Sequence, residues 1–189
     1  MLSFIGKIIT QLREENELTI GMLSERTGIS VEKISDIESG AIVPSIGVMI
    51  KISRALGARL GTLLDGHESS GAVVSRGKQI AASDNLTSTR TGVNRFMEFF
   101  ALGRGKKDRS MEPLVVVIQP SGSEPDVTSE HEGEEFLYVL EGSIRVHYGV
   151  EKHILEVGDS IYYDSIVPHS IASADDHVAK ILAVVYTPY

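Results

Sequence analysis

LSERTGISVEKISDIESGAIVPS, residues 23–45, places two short helical patterns on either side of a Thr27-Gly28 turn. Glycine enters the left-handed conformation that a tight inter-helix turn requires, so Thr27-Gly28 ends the first pattern. Ser30 is an N-cap residue type, Ile34 and Ile37 recur at helical spacing, and Ser39-Gly40 stops the second pattern. Pro44-Ser45 then opens a fourth helix through Leu56. Ser24 is small where the two central helices would cross closely. Outward from this stretch, Ile5, Ile8, Ile9 and Leu12 predict an amphipathic helix over 4–16. Thr19 predicts the cap of a helix holding Met22 and Leu23, and 59–65 reads as a fifth helix. The expectation is a five-helix helix-turn-helix domain over residues 1–66.

These residues resemble the phage-repressor-like (XRE-type) helix-turn-helix family, with the Thr-Gly-Ile-Ser turn, the Ile-Glu-Ser-Gly ending and the Pro-Ser restart at the family's spacing. The resemblance implies a recognition helix over Ser30–Glu38 that enters a major groove. It assigns DNA contacts to Thr19, Ser30, Val31, Glu32, Lys33, Asp36 and Ser39. Glu32 suits a cytosine amino group, Val31 a thymine methyl, and Lys33 a phosphate or guanine, whereas Thr19, Ser39 and Ala41 fall at phosphate-contacting places. It also implies a structural ion pair between Arg13 and Glu38. The plainer alternative is a helical unit that only packs or dimerises, and Glu32, Asp36 and Ile20 on the groove side favour it.

Charge divides the chain. Residues 1–66 carry 7 Lys and Arg against 8 Asp and Glu, residues 67–111 carry 8 against 4, and residues 112–189 carry 3 against 14. A C-terminal part this acidic is a poor platform for nucleic acid, so any DNA contact belongs to the first part. The absence of cysteine excludes disulfides, thiolate zinc sites and cysteine nucleophiles. MLSFIGKIIT is too short and too soon interrupted for a secretory signal, and no apolar run reaches the ~18 residues of a membrane helix, so the expectation is a cytoplasmic chain without membrane partners.

Gly, Ser and His without periodicity mark a linker over 67–79, and GAVVSRGKQI is a candidate strand start. Strands are then expected in NRFMEFFAL, PLVVVIQP, EFLYVLE, SIRVHYG, HILEV, SIYYD, HSIAS and AKILAVVY, with a basic loop, GRGKKDRS, after the first. The loop cations Arg104, Lys106, Lys107 and Arg109 read as solvated. So many short strands without intervening helices predict an antiparallel β-barrel or jelly roll over 80–189, making the chain a two-domain α+β protein. Glu135, Leu137 and Val139 share one strand face and Phe136, Tyr138 and Leu140 the other. His147, His153 and His177 read as exposed, without a role.

HEGEEFLYVLEG and GDSIYYDSIVPHS resemble the two motifs of the cupin family. The resemblance implies a metal set of His131, Glu135 and His169, with Ser129 at the place of a further histidine. It also implies a pocket lined by Ser129, Leu137 and Val139. Two imidazoles and a carboxylate suit one divalent metal, Fe, Zn, Mn or Ni. The alternative is a pair of imidazoles that only hydrogen-bond inside a metal-free pocket. A helix-turn-helix joined to a cupin is similar to a group of bacterial transcriptional regulators, which implies double-stranded DNA with a palindromic operator, a small-molecule effector and a homodimer. The same architecture resembles hydroxypropylphosphonate epoxidase, implying a mononuclear non-heme iron oxygenase. In that alignment the enzyme's substrate-contacting lysine falls on Glu17 and its pocket tyrosine on Phe99. A carboxylate at Glu17 would repel an anionic phosphonate. A third expectation is a binding or scaffold protein with no DNA target.

Overall fold

The computed structural model describes residues 4–64, 71–77, 96–106, 109–122 and 128–188. Five helices come first: α1 (Phe4–Glu15), α2 (Ile20–Thr27), α3 (Val31–Ser39), α4 (Ile46–Ala55) and α5 (Leu60–Leu64). Their ends follow from single side chains. Thr19, Ser30 and Ser45 sit in extended conformation and accept from the backbone N–H of Met22, Lys33 and Val48, satisfying donors that a helix start leaves open. Gly28 closes α2 at φ 69°. Across that turn the Ser24 hydroxyl donates to the Ile29 carbonyl at 2.6 Å, which is why a small polar residue fits there. Ile5, Ile9, Leu23, Ile34, Ile37 and Ile52 fill the helical core.

Eight antiparallel strands follow: β1 (Met97–Ala101), β2 (Met111–Ile118), β3 (Glu134–Glu141), β4 (Ile144–Tyr148), β5 (Glu151–Leu155), β6 (Ser160–Asp164), β7 (His169–Ser173) and β8 (Ala179–Tyr186). They form one sheet ordered β1-β2-β8-β3-β6 and a second ordered β5-β4-β7. The expected alternation is present in β3, where Glu135, Leu137 and Val139 are buried and Tyr138 and Leu140 are exposed. Of the expected barrel or jelly roll the antiparallel sheets are present, and the ladders of the described strands make two separate sheets without closing. Ser129 and His169 form an isolated bridge beside them. Residues 71–77 contain no strand: Val73 is half-buried, Val74 and the other five residues are exposed, and no apolar face is buried there. No described helix is long and apolar enough to cross a membrane.

Candidate metal centre and nucleic-acid interface

Three elements bring the histidines and the glutamate together. Glu135 stands on the inward face of β3, in register with Tyr163 of β6. His169 opens β7 in the other sheet, and His131 lies just before β3, its N–H donating to the Ser165 carbonyl at 3.0 Å. The approach to β3 depends on Gly133. Its φ is +115°, and a Cβ there would lie 2.0 Å from the Tyr186 carbonyl oxygen, so only glycine lets the chain pass.

All three ligand atoms lie within 4.8 Å of one another, and all three side chains are buried. His131 Nδ1 is 3.1 Å from the Glu132 carbonyl and His169 Nδ1 is 2.9 Å from the Val167 carbonyl. Carbonyls only accept, so each Nδ1 carries the hydrogen, and in the neutral ring each Nε2 bears a lone pair. Both Nε2 atoms face one atom, Glu135 Oε1, at 2.8 Å and 3.5 Å. Two lone pairs aimed at a carboxylate oxygen repel it unless a proton or a cation stands among them. Burial alone would raise the Glu135 pKa, but the hydrogen bonds and charges of His131 and His169 overcome it and hold the value at about 2. For His169 burial pulls the pKa down, but the hydrogen bond and charge of Glu135, with the Val167 carbonyl and the Glu130 charge, together raise it above its ordinary value. The carboxylate is therefore ionised.

This donor set fits a divalent cation. The distances from the two Nε2 atoms to Glu135 Oε1, 2.8 Å and 3.5 Å, are of the size expected for donors that share one ion. Sequence reasoning missed a fourth participant. The Tyr163 hydroxyl donates to Glu135 Oε2 at 2.8 Å, orienting the carboxylate so that Oε1 faces the imidazoles. Burial, and then the Glu135 charge, push the Tyr163 pKa well above its ordinary value, so the phenol stays a donor. Its signal was the strand pairing: alternation in SIYYD gives Tyr163 an inward face, but only the register sets it opposite Glu135. The fully buried Ser165 hydroxyl, in the residue that holds the His131 backbone, has no hydrogen-bond partner among the described residues.

Leu137 and Val139 are completely buried in the packed core between the sheets. A cavity of about 530 Å³ opens beside His169, lined by Thr128, His147, Glu151, Lys152, Pro168 and Ser170. His147 is half-buried rather than exposed, and so is His153, which pairs with Glu151 at 3.1 Å; His177 is exposed. Arg109 is not solvated as expected of the basic loop. It forms a buried ion pair with Glu112 at 2.7 Å, and Lys107 lies outside the described residues.

The α3 surface is open. Ser30, Val31, Glu32 and Ser39 are exposed, Lys33 and Asp36 half-buried, and Thr19 exposed at the start of α2. All three hydroxyls are also occupied locally: Thr19 accepts from the Met22 N–H at 3.1 Å, Ser30 accepts from the Lys33 N–H at 3.3 Å, and Ser39 donates to the Asp36 carbonyl at 3.0 Å. Behind the helix, Arg13 grips Glu38 with two bonds, Nε to Oε1 at 2.7 Å and Nη2 to Oε2 at 2.9 Å. Its Nη1 donates to the Leu18 carbonyl at 2.8 Å, so one guanidinium ties α1, the following turn and the end of α3. The Glu38 hydrogen bond raises the Arg13 pKa further. Glu17 lies in the exposed turn after α1, and Phe99 is buried in β1.

Two family models match the chain, a helix-turn-helix over residues 9–63 and a cupin domain over residues 114–185. The protein thus joins a helix-turn-helix domain to a cupin domain. Over almost its whole length it is similar to the HTH-type transcriptional regulator PuuR of Escherichia coli (strain K12), with 23% identity covering 97% of this chain and 94% of the relative. It is likewise similar to the (S)-2-hydroxypropylphosphonic acid epoxidase of Streptomyces wedmorensis, with 27% identity covering 95% and 93%. Among solved structures it resembles an HTH_3 family transcriptional regulator from Vibrio cholerae, with a TM-score of 0.72, 22% identity and coverage of 99% and 97%.

Proposed function

We propose that this protein is a DNA-binding transcriptional regulator whose cupin domain senses a small molecule and pairs two copies as a homodimer on a palindromic operator. The observation that carries the reading is the α3 face, exposed at Ser30, Val31, Glu32 and Ser39 and rigidly backed by the Arg13–Glu38 clamp. In this reading Val31, Glu32, Lys33 and Asp36 meet base edges and phosphates, and Thr19, Ser30 and Ser39 flank them along the backbone. The likeness to PuuR supports the assignment. The helical domain carries no excess of positive charge, so affinity per module is weak and two half-sites are needed. The cavity beside His169 is of a size that holds small ligands. The His131, Glu135 and His169 set holds a divalent metal, with Fe, Zn, Mn and Ni all compatible with its donors.

A second reading, a mononuclear iron oxygenase, is favoured by that donor set and by the likeness to the epoxidase. Bound iron would supply open positions for substrate and oxygen. The chain's own residues would hold the ion and, through Tyr163, orient Glu135. Glu17 and Phe99 argue against an anionic phosphonate as its substrate. Selection of genomic duplexes retained by the full chain at low salt tests the two readings. A regulator enriches a palindromic fragment upstream of its own coding region. An oxygenase enriches none, and its iron-loaded form consumes oxygen with a substrate.

A further inference from the structure

We propose that α4 of the helix-turn-helix domain is a lid on the metal centre, and that the Gly47–Ser129 contact positions His131. This rests on the reading of His131, Glu135 and His169 as a metal site. The N-terminal half of α4 lies directly on the segment that leads into β3. A Cβ added to Gly47 would stand 2.4 Å from the Ser129 hydroxyl and 3.3 Å from His131 Cδ2. Gly47 is buried and Ser129 half-buried at this contact. Two turns further along α4, Arg54 pairs with Glu132 at 2.5 Å. The carbonyl of that same Glu132 accepts from His131 Nδ1. The helix therefore bears on the segment at Ser129 and His131 and, through an ion pair, at Glu132.

The contact also accounts for serine at the first ligand place. A histidine at 129 would carry four more heavy atoms into the space that α4 occupies, whereas glycine against serine is a pair matched in size. Ser129 is fixed by two backbone bonds to His169, N to O at 2.7 Å and O to N at 2.9 Å, so it links α4 to the second histidine as well. Loading the centre draws both imidazoles toward one ion, and that movement passes to α4 through side chains already in contact. A helix that also packs on α2 then carries it toward the DNA-reading face. Such coupling is reciprocal: whatever seats or unseats α4 changes metal affinity by the same factor.

Zn(II) affinity of the full chain, measured by chelator competition, tests this with no assumption about DNA. Gly47→Ala must displace either α4 or the Ser129 hydroxyl, and the expected result is a loss of Zn(II) affinity of about fivefold or more. Ser129→Ala added to Gly47→Ala removes the blocking oxygen and is expected to recover most of that loss. Arg54→Gln, a surface change that leaves the fold intact, is expected to move Zn(II) affinity in the same direction by less. In the wild type, Zn(II) is expected to shift the amide resonances of Gly47 and Arg54. Equal Zn(II) affinity in all these variants, with α4 resonances unmoved, overturns the lid while the metal site stands. Absence of Zn(II) uptake by the wild type overturns the metal reading and the lid with it.

Discussion

Replacing Arg13 by Met removes both bonds to Glu38 and the one to the Leu18 carbonyl, and leaves a carboxylate in the helical core with no cation beside it. The two side chains are 12% and 9% exposed, so solvent cannot take over the lost partner. Breaking a buried pair from one side costs about 3–5 kcal/mol, and the remaining exposure of Arg13 places this case near the lower end, about 3 kcal/mol. For a domain of this size each kcal/mol moves the melting temperature by about 4–8 °C, so the expected drop is about 12 °C or more. Circular dichroism at 222 nm reads it cleanly, because the described helices are confined to residues 4–64. Arg13→Met combined with Glu38→Met should recover much of the loss, since an apolar pair needs no partner. High salt should do little to the wild-type melt, because a buried pair is poorly screened. A single variant that melts within about 2 °C of wild type would refute the reasoning, because a loss of about 3 kcal/mol could not leave so small a shift.

Tyr163→Phe removes the donor that fixes Glu135 while leaving the three ligands in place, and should weaken Zn(II) binding by about 10–100-fold in calorimetric titration. Gly133→Ala puts a methyl group against the Tyr186 carbonyl at a φ of +115° and should cost more than about 4 kcal/mol, seen as loss of the cooperative melt of the cupin domain. Lys33→Ala should weaken the selected duplex and reduce the salt slope of binding by about 1 if its partner is a phosphate, as read by fluorescence anisotropy at several salt concentrations.

Much of this molecule is legible in its sequence because local signals and tertiary packing agree. Thr19, Ser30 and Ser45 announce helix starts, and each caps one. All eight expected strands form, since alternation in segments such as EFLYVLE matches a sheet with one buried face. The grouping of His131, Glu135 and His169 was implied by the likeness of HEGEEFLYVLEG and GDSIYYDSIVPHS to the cupin motifs, and the three side chains do come together. What stayed hidden depends on contacts between distant segments. Tyr163 joins the candidate metal centre only through the β3–β6 register. Arg109 looked solvated in a basic loop, yet it pairs with Glu112 beneath Gly61 of α5. Ser129 looked like a weakened ligand place, and only the packing of α4 shows what it touches. Sheet closure could not be read from strand count, because edge pairing is set by register and twist rather than by the number of apolar segments.

Hydrogen exchange of the full chain, with and without a selected duplex, addresses the reading of DNA by α3 most directly. The account predicts slowed exchange at the start of α2 near Thr19 and across residues 30–39, with the outer strands of the cupin domain unchanged. Protection confined to the cupin domain, or a duplex that leaves residues 30–39 exchanging as in the free protein, would contradict it.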